Sequence, residues 1–445
     1  MTTGSEREAA AAAIVRWYRA ALAAVDPEAA VRRALVWDGT SGVLSVGEHP
    51  LTARGRVVVL AVGKAAFGMA RGASVVLGDR LDAGLAVTVG GQTASGLPDR
   101  LRVLEASHPV PDGRSEAAGR AAIALLAGVE HDDIVLALIS GGGSALIEVP
   151  RPPVTLADLA TVTDLLLRAG APIGALNAVR APLSLVKAGG LRRAAGPATV
   201  ATLILSDVLG NDPRVIASGP TVPRGPGTGA EDALAVLDRF AARSAVPRSV
   251  LAALLGTAEP GDRPDTSRDA LVVVGDSGTA VAAAERAALA EGRRPSVVWR
   301  AQEGEAVDLG RAWVRECLAA PADVDVLLGG GEATVTVRGH GVGGRNTEFA
   351  LAAALALEEA GEPGRGWVVA SLATDGQDGP TGAAGATVDA GTAGRSRAAG
   401  VDPVAALGEN DSLRAVVAAG GVVAPGATGT NVNDLYLAVR AGDGP

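Results

Sequence analysis

The feature that most restricts the fold is a recurring unit in which a short apolar run, rich in β-branched residues, stops at glycine or a polar residue and gives way to a new pattern. Five such units stand out: RVVVLAVGKAAFGMA from Arg56, DIVLALISGGGSAL from Asp133, ATLILSDVLGNDP from Ala201, ALVVVGDSGTAVAAA from Ala270 and WVVASLATDGQDGP from Trp367. Runs that are apolar throughout suit strands covered on both faces, and strands alternating with alanine-rich helices build parallel sheets. The expected class is therefore α/β, doubly wound, with ligands gathered beyond the carboxyl ends of the strands. A sixth run, DVDVLLGGGEATVTV from Asp323, has no helix directly after it, and the pattern predicts a β-hairpin with RGHGVGG as its turn.

A chain of 445 residues exceeds what one hydrophobic core normally organises, so two domains are expected. The stretch from Pro247 to Asp269 passes from a short helical pattern into Pro, Gly and charge, which places a boundary between domains at 1–248 and 268–445. The Pro/Gly cluster from Gly219 reads instead as a long surface loop, because a helical pattern follows it.

Composition narrows the function. A formal net charge of -9 disfavours a nucleic-acid partner, which needs clustered Lys and Arg, and 2% aromatics leave few base-stacking platforms. The only cysteine, Cys317, rules out an internal disulfide and a cysteine zinc cluster, and it reads as a buried helical residue. The N-terminal stretch mixes charged and apolar residues at helical spacing, with no secretory apolar run, and no segment reaches the ~20 apolar residues of a membrane span. Cytoplasm is the expected location, with no membrane partner and with a homodimer left open.

The strand tips carry the chemistry. Walker, dinucleotide, zinc-protease and nucleophile-elbow motifs are absent, so the common nucleotide folds are not advertised. Lys64 follows a strand in AVGKAAFGMA and reads either as a cation facing an anion or as a solvated lysine. Ser140, Gly141, Gly142, Gly143 and Ser144 form a tip whose glycines let the backbone approach a phosphate or carboxylate. Asp207, at another strand end, could serve as a base or hold Mg2+ through water, with Asn211 and Asp212 close behind; helix capping is the alternative for either Asp. Arg345 opens a long apolar helix, where the macrodipole disfavours a cation, so it asks for an anionic partner such as a phosphate. Glu348 can complement the same dipole, whereas Asp375 with Asp378, and Asn431 with Asn433 and Asp434, form polar tips that turn chemistry alone could explain. The four histidines lack metal-ligand spacing, and His108 reads as a loop residue.

Taken in order, VGKAAFGMA, SHPVPDGRS, SGGGSALI, LNAVRAPLSLVKAGGL, SDVLGNDPRVIASGPTVP, GGGEATVTVRGHGVGGRNTEFALAAAL, TDGQDGPTGAAGA and TGTNVNDLYLAV resemble the blocks of the glycerate 2-kinase family. The resemblance runs from about Lys64 to Val439. It implies a Rossmann-like N-terminal domain, a C-terminal α/β MOFRL domain with a cleft between them, and transfer of the ATP γ-phosphoryl group to D-glycerate with Mg2+. Lys64 and Arg345 match the family's active-site lysine and arginine, and Asp207 joins them as the third catalytic candidate. The glycine tip with Asn346, Asp375, Asn431 and Asn433 is assigned to the nucleotide, and Asp207 with Asp212 to the metal. Positions read as facing the acceptor depart from the common pattern: Thr88-Val89-Gly90-Gly91-Gln92 stands for a Thr-Arg-Tyr-Gly-His run, Ala181-Pro182 for Lys-His, Val342 for Lys or Arg, and Asn211 for Asp. Two further readings therefore stand beside glycerate, namely a kinase of a neutral polyol, cyclitol or sugar derivative and a ligand-binding relative without turnover. A hydroxypyruvate reductase is disfavoured by the missing dinucleotide fingerprint.

Overall fold

The apolar runs become strands because both their faces are covered, and the structure, a computed structural model, describes residues 4–90, 96–223, 225, 229–256 and 264–441. Its residues fall into two compact units, 27–274 and 1–26 with 275–445.

In the unit 27–274, a small antiparallel sheet comes first, made of β1 (Leu35–Asp38), β2 (Val43–Val46) and β3 (His49–Thr52). The main sheet follows, with β4 (Val57–Val62), β5 (Leu81–Val89), β6 (Leu101–Ala106), β7 (Ile134–Ser140), β8 (Thr199–Leu205) and β9 (Ala270–Gly275). Its order is β6-β5-β4-β7-β8-β9, and the pairs β6–β5, β5–β4, β4–β7 and β7–β8 are all parallel. Every residue of β4, β7 and β8 is buried, as their uninterrupted apolar composition requires. The strand order reverses between β4 and β7, which opens a crevice beyond their carboxyl ends.

The other unit holds β10 (Pro295–Glu305), β11 (Val326–Thr334), β12 (Trp367–Ala373), β13 (Gly385–Asp389), β14 (Val422–Val423) and β15 (Asp434–Arg440), in the order β10-β11-β15-β12-β13-β14. Only β10 and β11 pair in parallel; every other pair in this sheet is antiparallel. Its core uses much of the chain's scarce aromatic content, with Phe349 stacked on Tyr436 at 4.7 Å and Trp299 edge-on to Trp313 at 4.8 Å. The helix Arg345–Glu359 is buried along most of its length, and Cys317 is buried in the helix Ala306–Ala319.

Three sequence expectations are corrected here. Trp367 opens a strand that is antiparallel to both neighbours, because the chain turns at 374–384 and returns as β13 without an intervening helix. The hairpin after Asp323 does not form: β10 and β15 already occupy both edges of β11, and residues 335–344 run as a loop whose glycines pack against 409–412 and Asp378. Finally, β9 pairs within the first sheet, so the chain leaves that unit after Val274, beyond the Pro247–Asp269 stretch. Residues 257–263 of that stretch lie outside the described residues, and its end is pinned where Arg192 donates to Asp269 at 2.5 Å and Val200 N donates to the same carboxylate at 2.9 Å. The helix Gly4–Ala24 likewise packs in the unit of residues 275–445, where Tyr18 donates to the Ala373 carbonyl at 2.6 Å and Arg16 holds Glu291 at 2.8 Å.

Among the described residues, no helix is long and apolar enough to cross a membrane.

Candidate active site

The reversal between β4 and β7 brings three of the predicted groups together at one sheet edge. Gly63 and Lys64 end β4, the tip 140–144 ends β7, and Ser206 and Asp207 end β8. The ends are laced together: Lys64 N donates to the Gly141 carbonyl at 2.8 Å and Ala65 N to Ser140 Oγ at 3.1 Å. A Cβ at Gly141 would run into the Asp207 carboxylate and displace it. Gly142 has a φ of 83° and a Cβ on it would press on both the Lys64 side chain and the His108 ring. The tip is thus a bare backbone surface ringed by a lysine, a histidine and an aspartate.

The electrostatics of this edge are uneven. Burial holds the Asp207 carboxyl above the usual range, and the Lys64 charge pulls it partly back. His108 is held below its ordinary value, first by desolvation and then by the neighbouring Lys64 ammonium. Lys64 itself makes no ion pair among the described residues. Behind the tip, Ser144 Oγ lies 2.6 Å from Ser218 Oγ, in a segment where Ala217, Ser218 and Gly219 all have positive φ. Such backbone strain persists only where surrounding contacts enforce it.

Asp212 is placed differently from its predicted role. Its carboxylate is gripped by Arg214, with Nε and Nη contacts of 2.9 Å each, and this pairing holds the acid below the usual range. A metal there would have to share the carboxylate with Arg214. Among the described residues no three His, Cys, Asp or Glu side chains gather into a possible metal cage.

The unit of residues 275–445 carries its own polar cluster. Arg345, at the start of its helix, does find an anion, but the anion is internal: Nε and Nη2 reach the two oxygens of Asp434 at 2.6 and 2.7 Å. Burial opposes the Arg345 charge, and the Asp434 carboxylate outweighs it, so the guanidinium pKa is raised. Asp378 accepts from the amides of Asn346 and Thr347 at 2.8 Å each, capping the helix from a distant loop. Asn346 is fully buried and fully engaged, with Oδ1 accepting from Ser371 at 2.6 Å and Nδ2 donating to Asp434 at 3.0 Å. Asn433 is buried too, and its Nδ2 donates to Glu332 at 3.2 Å. Asp375 and Asn431, in contrast, are partly exposed. Glu348 is buried and accepts from Asn410 at 2.8 Å, and burial pushes its carboxyl up. It is more than a surface complement to the helix dipole.

Sequence reasoning missed four residues of these clusters. His108 was read as a loop residue, although its place in SHPVPDG, between a strand end and Pro109, was a signal that the chain bends there. Lys187 and Glu148 lie buried under the tip, and Asp434, the partner of Arg345, was seen only as part of a polar turn. Of the departures from the common pattern, Ala181 and Pro182 are buried, Val342 is 44% exposed, and Gly91 and Gln92 lie outside the described residues.

Two family models match the chain. Residues 13–255 match the model of a domain of unknown function, DUF4147, and residues 325–434 match the MOFRL family. The D-glycerate 2-kinase of Thermotoga maritima is 39% identical over 391 residues, which cover 86% of this chain and 90% of that protein. The chain belongs to the glycerate 2-kinase family. As expected of a glycerate 2-kinase relative, it is similar to the crystal structure of a Thermotoga maritima glycerate kinase, with a TM-score of 0.84, 35% identity and coverage of 97% of this chain and 99% of that one. A protein of Agrobacterium vitis bearing the name of a hydroxypyruvate reductase is 41% identical over 431 residues, 94% of this chain and 92% of the relative. The glycerate 2-kinase assignment thus covers both units, and the Rossmann-like and MOFRL parts expected from the resemblance are both present.

Proposed function

We propose that the chain transfers the γ-phosphoryl group of ATP to the 2-hydroxyl of D-glycerate. The observation that carries this reading is the meeting of Lys64, the bare glycine tip and Asp207 at the strand-order reversal of a parallel sheet. Phosphoryl transfer asks little covalent chemistry of a protein and much positioning and charge neutralisation, which this inventory supplies. The identity to a named D-glycerate 2-kinase supports the choice of acceptor.

In this reading the tip amides cradle the transferring phosphate and Lys64, whose charge is not neutralised by a partner, offsets charge on its oxygens. Asp207 accepts the proton of the acceptor hydroxyl; its burial raises its basicity toward the working pH, as a general base requires. Mg2+ in nucleotide sites is held largely by phosphates with one or two carboxylates, and Asp207 is the carboxylate that suits this second task. When bound, the ion would neutralise the phosphate oxygens. Asp375 and Asn431 are assigned to nucleotide contacts, whereas Asn346 and Asn433, both buried, act by holding Arg345, Asp434 and Glu332 in place. Arg345 is assigned to the phosphates through the guanidinium edge that Asp434 leaves open.

The hydroxypyruvate reductase name of one relative raises a hydride-transfer alternative. The turn after β4 reads VGKAAFG and lacks the glycine spacing that lets a dinucleotide pyrophosphate approach, which favours the kinase. The deciding experiment couples ADP release to a dehydrogenase assay with D-glycerate and identifies the product by 31P NMR. A 2-phosphoglycerate resonance is expected. Reduction of hydroxypyruvate by a nicotinamide cofactor, without ADP release, would replace this reading with the other.

A further inference from the structure

Behind the glycine tip lies a group of buried charges that the reaction above leaves unused. Glu148, four residues beyond Ser144, is 1% exposed. Ser184 Oγ donates to its Oε1 at 2.5 Å, while Oε2 accepts no hydrogen bond and has only ionic neighbours, Lys187 Nζ at 3.0 Å and Arg180 at 3.9 Å. Lys187 is as buried as its partner, and its ammonium also donates to the Ser144 carbonyl at 2.7 Å, so this cation is spent on holding the tip. Arg180 is not spent. Its side chain is only 16% exposed, its one ion pair among the described residues is the loose one to Glu148, and its guanidinium forms no hydrogen bond among them.

Lys187, whose ammonium burial pushes down in pKa, and Arg180 both face the single Glu148 carboxylate, and Lys187 holds it the more closely, so the Arg180 fork of N–H donors has no close acceptor of its own in a mostly buried place. Such a group gains when an anion or acceptor comes to it. Asp164, nearby, does not serve, because Arg168 already holds it at 2.7 Å. Arg180 and Glu148 open instead into a cavity of about 330 Å³ lined mainly by apolar side chains, Pro109, Val110, Leu159 and Leu167 among them, with Thr163 and the Arg168-paired Asp164 as its other polar walls. That size is at the small end of pockets for small molecules. The cavity starts at Pro109, the neighbour of His108, whose ring lies against Gly142 of the tip.

A cationic fork in an apolar cavity beside a phosphoryl-transfer tip describes a site for a carboxylate with an apolar body. We propose that Arg180 anchors the carboxylate of the acceptor here and that the apolar wall receives an alkyl substituent, so that the chain also phosphorylates 2-hydroxy acids carrying an alkyl group where glycerate carries hydroxymethyl. This rests on the kinase reading. The 2-hydroxyl oxygen attacks the γ-phosphorus of ATP; the new O–P bond forms as the bond to the β,γ-bridging oxygen breaks, its electron pair leaving on ADP, and the hydroxyl proton passes to Asp207. Each methylene moved from water onto the wall strengthens binding roughly fourfold.

The test compares D-glycerate, D-lactate and D-2-hydroxyisocaproate as acceptors, by ADP release and 31P NMR, and measures binding of D-2-hydroxyisocaproate by calorimetry. Phosphorylation of the longer acid is expected, with a KM about tenfold or more below that of D-lactate. Arg180→Gln should raise the KM of each acid by about tenfold or more while the KM for ATP stays put, since the guanidinium's charge-assisted bonds are lost. Ala160→Phe, at an exposed position lining the same cavity, fills it without touching the buried charges and should erase the preference for the longer acid. Turnover of D-glycerate with no turnover or binding of the longer acid overturns the proposal and leaves the kinase reading standing. If no acid is phosphorylated, the kinase reading fails, and the calorimetry still decides the site: binding that Arg180→Gln abolishes supports it, and absence of binding overturns it.

Discussion

The two units solve the problem of keeping charge near a strand end in opposite ways. At the parallel edge of residues 27–274, Lys64 has no ion-pair partner among the described residues and Asp207 is buried with its carboxyl pushed up, so the edge is held in a state that a ligand can improve. In the unit of residues 275–445, Arg345, Asp434, Asn346 and Asp378 satisfy one another through bonds of 2.6 to 3.0 Å, and the cluster is complete as it stands. The first arrangement sacrifices stability for reactivity; the second is a rigid frame that presents one guanidinium edge. Binding energy can be drawn from groups that are unsatisfied, whereas groups already paired chiefly fix geometry.

Substitutions should separate the two behaviours, and the largest effect is expected at Asp207. Asp207→Asn should cut kcat by about 1000-fold, within the usual range for a lost general base, without lowering the melting temperature at pH 7. Its carboxyl has a folded pKa raised above the unfolded one, so ionisation opposes folding: the cost appears as pH rises from the unfolded towards the folded pKa and is full above it. The variant should therefore gain stability over the parent at neutral pH and lose that advantage in acid, and a melting temperature that drops at pH 7 would make Asp207 a structural cap. In the parent, kcat should fall on acidification at a pH above the ordinary carboxylate range.

Arg345→Ala comes next and should show the opposite signature. Removing it strands the fully buried Asp434 carboxylate, a change that typically destabilises by about 3–5 kcal/mol, readable by denaturant titration. Arg345→Ala with full stability would show that the cluster is no frame, and the contrast between the units would collapse. Lys64→Ala is the smallest of the three, with kcat/KM down by about 100-fold and an unfolding curve little changed, because no ion-paired carboxylate among the described residues is stranded. A stability loss there would place Lys64 in the same class as Arg345.

The strands, their tips and the family were legible because they are written locally, in apolar runs that end at glycine. Lys64, Gly141 and Asp207 could be picked out one by one as strand-end residues, and the strand-order reversal then had only to collect them. What stayed hidden depends on distant partners. Nothing near Arg345 announces that Asp434, 89 positions on, supplies its anion. Nothing near Ala270 tells that β9 joins the earlier sheet, because an apolar run carries no address. The hairpin after β11 failed for a related reason: a turn-like glycine cluster describes what a backbone can do, while the free edge it needs is decided by β10 and β15. The Pro247–Asp269 stretch looked like a joint because its composition is that of a surface loop, and composition does not separate a loop inside a unit from one between units.

The membership of the helix Gly4–Ala24 has a consequence for the order of events during synthesis. This helix leaves the ribosome before residues 27–274, yet the surfaces that cover its Ile14, Trp17 and Tyr18 belong to residues made after them. Residues 27–274 form a unit that can fold as it emerges, at the usual vectorial pace. The helix must wait, with an apolar face uncovered, until residues beyond 274 have been made. A nascent chain stalled after residue 274 would hold one finished unit and one orphaned amphipathic segment, and that segment is where a chaperone would find its grip.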